Sequence, residues 1–350
     1  MNDMATIYEV ARLSGFSTAT VSRVMHDGRG FSEPTRKSVL EAAARLGWVP
    51  NHSARSLARR RAGIIGLLFP DLGVSDDIDS ESPLFVDQVI RGAERAVTLA
   101  GDAILIAATR GKSGLDLARS VAGKVDGLVV LAGSLADKDL AAISGRVPVV
   151  VLATHASRHR LDFVGADNRG GAASVTAHLT TDHAYRDLAF VAGPPRSPDS
   201  RERFVGFCQS LSDAHLAVPH APDAHGGFTE SGGARAMTEL LESRRRPPRA
   251  VVFGNDEMAI GALGVLRRAR LRVPGDVAIT GFDDIATARH LRPALTTVRQ
   301  PMREIGERAV HALLERLSDR DAPRRTSVLP TQLVVRSSCG CRGRRAGATR

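Results

Sequence analysis

The sequence predicts an α/β protein built from a small all-helical N-terminal unit followed by two doubly wound α/β lobes. Three observations carry that expectation. Residues 6–25 read as a tight helical hairpin, and from Gly63 onward short β-branched apolar runs alternate with amphipathic helical patterns. The chain has 350 residues, 43% of them hydrophobic, enough to bury two or three separate cores.

The hairpin is TIYEVARLSGFSTATVSRVM. Thr6 and Glu9 have the spacing of a capping box, which starts a helix at Ile7. Val10, Ala11 and Leu13 give that helix an apolar face, and Gly15 ends it, since glycine takes the φ > 0 turn conformation without steric cost. Ser17 then caps a second helix running through Thr18, Ala19, Thr20, Val21, Ser22 and Arg23. Val21 and Val24 point inward and leave Thr18, Ala19, Ser22 and Arg23 outside. Short side chains at the leading end, with an arginine a turn later, suit a DNA major groove. The arginine can reach guanine O6 and N7, and a threonine or alanine methyl can touch a thymine methyl. Any small helical hairpin with a solvated polar face shares this local pattern, so the hairpin points to DNA only in company with the segments C-terminal to it.

A third helix begins at Ser32, with Pro34 in its first turn; Val39, Leu40, Ala43 and Leu46 recur at helical spacing and Gly47 closes it. The helical unit is expected over 1–49. Residues 50–62 form a linker, in which Asn51 caps a short helix at Ser53–Ala58 that is too short to stand without a partner. There Leu57 is flanked by Arg55, Arg59, Arg60 and Arg61. Such a segment is either a solvated basic linker or a hinge that pushes Leu57 between base pairs in the minor groove with its arginines on phosphates.

Three motifs in register, IYEVARLSGFSTATVSRVM, EPTRKSVLEAAARLGWVPN and ARSLA, make residues 6–62 resemble the headpiece and hinge of the LacI/GalR family of bacterial transcription regulators. The resemblance implies sequence-specific binding to a double-stranded DNA operator. It places Thr18, Ala19 and Arg23 at base-reading positions and Leu57 at the intercalating leucine. The expected DNA-contacting set is Thr6, Ser17, Thr18, Ala19, Thr20, Ser22 and Arg23, with Asn51, Ala54, Arg55 and Leu57 from the hinge.

In the first lobe, IIGLLF (64–69), AILIAA (103–108), GLVVL (127–131) and PVVVL (148–152) read as buried parallel strands, separated by helices at Phe85–Leu99, Gly114–Val121 and Asp137–Ile143. A second lobe starts near Ala166. Its strands are LAFVAG (188–193), AVVFGN (250–255) and VAITGF (277–282); its helices lie at Gly170–Thr181, Asp199–His215, Glu230–Ser243 and Asp256–Ala269. A further helix, Glu304–Leu317, comes after the lobe. Two such lobes favour small-molecule binding at the carboxyl ends of their strands.

The resemblance extends over this region through VGADNRGGA, RERFVGF, GNDEMAIGAL, GFDDIA and LTTVRQP, which look like landmarks of a periplasmic-binding-protein-like effector domain over 63–338. By that resemblance Arg203, Phe228, Asn255 and Asp283 contact the effector, and Phe85 stands at the first lobe's cleft edge. Their chemistry is coherent by itself. Arg203 offers a planar donor fork, Asp283 a paired acceptor, Asn255 both functions and Phe228 an apolar face, a set that suits vicinal hydroxyls or a heterocycle edge. Arg203 and Asp283 could equally be a structural ion pair, and Phe85 a core residue. The family's frequent aspartate after the fourth strand is replaced here by Ala153 and Thr154, and the loop 73–82 is long and acidic.

A net charge of +10 points to a polyanionic partner, and an aromatic content of 4% argues against a surface that stacks single-stranded bases. No run of 18 apolar residues and no secretory signal is visible, so a cytoplasmic protein with no membrane partner is expected. Nucleotide-loop, zinc-protease and serine-hydrolase motifs do not occur, so neither an enzyme nor a cofactor is expected. His178 and His183 are five apart, wrong for a helical metal pair, and are expected at the surface or in caps. Cys339 and Cys341 lack a second local pair, so no metal site is expected, and 339–350 reads as a disordered basic tail. The reading that results is a homodimeric regulator, with a tetramer as the alternative. It is expected to act as a repressor, with DNA affinity set by a sugar-like ligand. Its rivals are a solute-binding protein of the same fold and a regulator that senses a protein partner or a nucleoside or base.

Overall fold

The computed structural model describes residues 5–26, 30–48, 61–70, 84–109, 114–152 and 161–341. It divides into two compact units, Met1–Gly63 and Ile64–Arg350. The hinge positions Asn51, Ala54, Arg55 and Leu57, the loop 73–82, Ala153, Thr154 and residues 342–350 lie outside the described residues.

The first unit holds α1 (Ile7–Ser14), α2 (Thr18–His26) and α3 (Glu33–Arg45). The Glu9 carboxylate accepts from both the Thr6 N–H and the Thr6 hydroxyl, at 2.7 and 2.9 Å, closing the expected capping box. Gly15, at φ 78°, donates to Ala11 O and stops the helix. Val10, Val21, Val24, Val39, Ala42 and Ala43 form the core, with Ile7, Phe16, Phe31, Leu46 and Trp48 packed at its margin. Two expected core positions turn outward, since Leu13 and Leu40 are exposed. Helical spacing alone admitted them; in the packed bundle Ser14 and Ala42 occupy the inward positions beside them.

The second unit opens with a six-stranded parallel sheet. Its strands are β1 (Ile64–Pro70), β2 (Ala103–Thr109), β3 (Gly127–Leu131), β4 (Val149–Leu152), β5 (Asp162–Ala166) and β11 (Thr326–Leu329), in the order β11-β5-β4-β3-β1-β2. Helices α4 (Leu84–Leu99), α5 (Gly114–Ala122) and α6 (Asp137–Ser144) connect β1 to β2, β2 to β3 and β3 to β4. The second lobe has a four-stranded parallel sheet in the order β7-β6-β8-β9, from Ala224–His225, Leu188–Ala192, Ala250–Phe253 and Ala278–Thr280. Around it lie α7 (Asn168–Ala177), α8 (Pro198–Asp213), α9 (Glu230–Ser243) and α10 (Asp256–Arg268).

Three features differ from the expectation. First, AILIAA is an edge strand, half exposed along its length, because among the described residues only β1 pairs with it. Second, the helix expected after the second lobe, α11 (Met302–Ser318), packs in the core of the first lobe with α4, through Met302, Ile305, Ala309, Val310 and Leu313. The two helices meet backbone to backbone: a Cβ on Gly92 would lie 2.0 Å from Arg303 O, and one on Gly306 would lie 2.2 Å from Val89 O. Strand β11 also joins the first sheet, beside β5. The chain therefore passes between the lobes three times, after β5, after β10 (Thr297–Arg299) and between β11 and β12 (Gln332–Val334). A buried pair locks this return, with Arg316 Nε and Nη2 on the two oxygens of Asp162 at 2.9 and 3.0 Å.

Third, the ordered chain continues past 338. Cys339 is fully buried in the second lobe's core, beside Leu179, Phe190, Phe207 and Val298. His178 is also buried rather than at the surface. The helix ends in a π turn, His178–Asp182, which alters the side-chain spacing assumed from the sequence.

Candidate nucleic-acid interface and ligand cleft

In the helical unit, α2 presents its leading end to solvent. The Ser17 hydroxyl accepts from Thr20 N at 3.1 Å and pairs with the Thr20 hydroxyl at 3.0 Å, which fixes the first turn. Ala19, Ser22 and Arg23 are exposed, and Thr18 and Thr20 are half-buried. Val21 and Val24 anchor the opposite face. The Arg23 guanidinium sits 5.3 Å over the Phe31 ring, so an aromatic surface holds the arginine beside the helix. Sequence reasoning did not foresee Phe31 in that role. Thr6 is exposed at the start of α1, with its hydroxyl engaged by Glu9.

In the second unit, a cleft of about 560 Å³, its open mouth included, lies at the carboxyl ends of both sheets. Leu131, Leu152 and Ala166 end strands of the first lobe, Val164 lies within β5, and Val89, Met302 and Ile305 come from α4 and α11, giving an apolar wall. The second lobe supplies Arg203 from α8, Phe228 after β7, Asn255 after β8 and Asp283 after β9. The structure thus brings four of the five expected residues together. Phe85 falls in the first turn of α4, and its side chain lies outside the described residues.

Arg203 is 5% exposed and Asp283 is 3% exposed. Nε of Arg203 donates to Asn168 Oδ1 at 2.7 Å, Nη1 donates to Gly254 O, and the guanidinium lies 3.9 Å over the Phe282 ring. Its Nη1 is 3.6 Å from Asp283 Oδ1, an ion pair too long to be a good hydrogen bond. Among the described residues Nη2 has no protein acceptor, which leaves a charged donor for a ligand.

Asp283 is held in a strained backbone conformation, φ 116°, by a donation from its N–H to Val298 O at 2.8 Å. Burial raises its pKa to about 6; the Arg203 charge and a hydrogen bond from Gln300 oppose this only in part, and Asp199 adds to it. Asp256, fully buried, is raised well above the usual carboxylate range, first by burial and then by Asp283. It anchors the turn by accepting from Ile285 N at 2.9 Å and from the Thr297 hydroxyl.

Asn255 works mainly as a helix cap: Oδ1 accepts from Met258 N at 3.1 Å and Nδ2 donates to Phe228 O at 3.0 Å. It thereby positions Phe228, itself at φ 68°. Gly193 makes room for that ring, since a Cβ there would lie 2.3 Å from it. Asn168, Asp199 and Gln300 also line the cleft. Sequence reasoning missed them as site residues, although Asn168 and Gln300 sit in the VGADNRGGA and LTTVRQP stretches.

Residues 6–51 match the family described as bacterial regulatory proteins, lacI family, and residues 176–339 match the periplasmic binding protein-like domain. The HTH-type transcriptional repressor PurR of Proteus mirabilis (strain HI4320) is 32% identical over 340 residues, 96% of this chain and 97% of that protein. The HTH-type transcriptional regulator GalR of Escherichia coli (strain K12) is 33% identical over 339 residues, 96% of each chain. Among solved structures, the lac repressor dimer bound to operator and the anti-inducer ONPF aligns with a TM-score of 0.80 at 26% identity, covering 96% of this chain and 99% of that one. The transcriptional regulator CelR–cellobiose complex aligns at 0.72 and 31% identity, covering 95% and 99%.

Proposed function

The chain belongs to the lacI family of bacterial regulatory proteins, and from that premise we propose that it is a repressor that binds a near-palindromic operator as a homodimer and responds to a sugar-like ligand in its cleft. Among its solved relatives the lac repressor dimer is bound to operator and an anti-inducer, and CelR is in complex with cellobiose. The single observation that carries the ligand assignment is the Arg203–Asp283 pair. Two opposite charges, each about 95% buried or more, stand 3.6 Å apart at the cleft with a donor and an acceptor left over. Such a pair is incompletely satisfied until something bridges it, and vicinal hydroxyls offer the matching acceptor and donor.

In this mechanism Thr18, Ala19, Ser22 and Arg23 read base edges, while Thr6, Ser17 and Thr20 bear on the backbone. Asn51, Ala54, Arg55 and Leu57 form the hinge that orders on bent DNA. Dimer symmetry matches the two half-sites of the operator. The half-exposed edge strand β2, with Ile106 outward, supports a self-complementary contact in the first lobe. The ligand acts by binding one lobe arrangement better than the other, a coupling of about 1–3 kcal/mol. The chain carries out regulation rather than catalysis and works in the cytoplasm. A nucleoside or base is the second ligand class, favoured by the Phe228 ring at the cleft, on which a flat heterocycle can lie.

The test is a calorimetric screen of mono- and disaccharides, sugar phosphates, nucleosides and bases against the full chain and Arg203→Ala. One class should bind the native chain at least about tenfold more tightly than the variant. A ligand that binds both equally well, while still altering DNA affinity, would place sensing outside the cleft.

A further inference from the structure

The π turn that ends α7 carries a cluster that neither α2 nor the ligand cleft uses. In an α-helix, residues four apart share a face; a π turn carries one extra residue per loop, so residues five apart align. The turn His178–Asp182 therefore sets His178 and His183 side by side, with their Nε2 atoms 3.3 Å apart. The C-terminal segment is laid across them by Ser338, whose hydroxyl donates to Ile279 O at 2.7 Å and accepts from Thr296 N at 2.8 Å. This delivers Cys339 Sγ to 3.4 Å from His178 Nε2. Cys341 Sγ lies 3.6 Å from His178 Nε2 and 3.4 Å from His183 Nε2. All four ligand atoms lie within 4.8 Å of one another.

Hydrogen bonding does not account for this arrangement. Nε2 of His178 has a single in-plane lone pair, yet three polar neighbours surround it at 3.3–3.6 Å. Those separations are the edges of a coordination tetrahedron. With metal–nitrogen bonds of about 2.0–2.1 Å and metal–sulfur bonds of about 2.3 Å, the N···N edge is about 3.3 Å and the N···S edge about 3.5 Å.

The surroundings fit the same reading. Asp182 Oδ2 lies 2.7 Å from His178 Nδ1, which holds the proton on Nδ1 and leaves Nε2 as the ligand. The Thr296 hydroxyl donates to Cys339 Sγ at 3.1 Å, and the Tyr185 hydroxyl donates to Cys339 O at 3.0 Å. The Tyr185 ring also stacks on His183, with centroids 5.1 Å apart. Between the cysteines, Gly340 has φ 111°, and a Cβ there would lie 2.8 Å from the Tyr185 hydroxyl.

We propose that His178, His183, Cys339 and Cys341 bind one zinc ion in a closed tetrahedral site that staples the C-terminal segment to the second lobe. Two thiolates and two imidazoles are the donor set zinc favours, and four protein ligands leave no open position for catalysis. Binding releases the thiol protons to solvent, and both cysteines coordinate as thiolates.

The full chain, purified with its thiols reduced and supplied with zinc, should retain about one zinc per chain after dialysis, measured by elemental mass spectrometry. Replacing zinc with cobalt should produce the intense visible bands of tetrahedral, thiolate-ligated Co(II). Cys341→Ser, at a partly exposed position, should drop zinc below about a tenth per chain while far-UV circular dichroism stays native. Asp182→Asn should keep the fold and weaken zinc about 10–100-fold in competition with a chromophoric chelator. Less than about a tenth of a zinc per native chain after reconstitution, with no cobalt bands, would overturn the proposal. So would zinc retention unchanged in Cys341→Ser, which would mark the metal as adventitious.

Discussion

Replacing Asp283 with asparagine should make the protein more stable at neutral pH relative to acid, and the size of the effect is set by its burial. The ordinary carboxyl value of 3.8 is raised to about 6 in the folded chain, first by burial, against the partial help of Arg203 and Gln300. Between those two values the folded state holds a proton at this site that the unfolded state has lost. Stability therefore falls as pH rises through the window, and the ionised form costs about 3 kcal/mol once pH is above 6. Asparagine keeps the shape, tolerates the positive φ and does not titrate. The stability of the native chain minus that of Asp283→Asn should thus fall by about 2.5 kcal/mol from pH 4 to pH 7, the rest of the effect lying below pH 4. Relief of Asp256, whose carboxyl the Asp283 charge also raises, acts in the same direction. The assay is urea unfolding monitored by far-UV circular dichroism across that range, because the one tryptophan, Trp48, lies in the helical unit. Two stability profiles that run parallel from pH 4 to 7 would refute the claim that Asp283 is held ionised at a cost. The same variant should lose ligand binding, since an amide cannot offer two acceptor oxygens.

Three further outcomes are expected. Arg23→Ala should weaken specific DNA binding by about 1–3 kcal/mol and relax preference at one base position per half-site, read by selection from a randomised operator; an equal loss on all sequences would mean that Arg23 touches only phosphate. Arg316→Ala should destabilise the second unit by about 3 kcal/mol in urea, the low end for a broken buried pair because Arg324 still lies 3.6 Å from Asp162; a loss under about 1 kcal/mol would mean the pair is dispensable. Ligand affinity in the native chain should fall as pH drops below about 6, where Asp283 takes up a proton and ceases to be a full acceptor, and an affinity flat from pH 5 to 8 would remove Asp283 from the contact set.

Much of the architecture was legible because local chemistry and global fold agree. Thr6 with Glu9, Gly15 and Ser17 bound the first two helices by capping alone, and the β-branched runs marked most strands of both sheets. What stayed hidden depends on partners far away in the chain. The edge position of β2 is set by its pairing with β1, and α11 and β11 return to the first lobe through Arg316 and Asp162, a pairing invisible to periodicity. In the cleft, the family resemblance pointed to Arg203 and Asp283, with chemistry that suits a ligand, whereas Asn168 and Gln300 act by orienting those two and looked like ordinary polar residues. The His178–Cys341 cluster was hidden twice over: a π turn gives its histidines an unfamiliar spacing, and its cysteines lie more than 150 residues away, 161 and 163 from His178.

The central claim, sequence-specific DNA binding by the exposed face of α2, is tested most directly by selecting bound duplexes from a random pool with the full chain at physiological salt. The expected product is a near-palindrome whose half-sites share fixed bases and flank a flexible pyrimidine–purine step. Recovery of bound DNA with no shared sequence would reduce the interaction to the attraction of a +10 chain for phosphate and would contradict it.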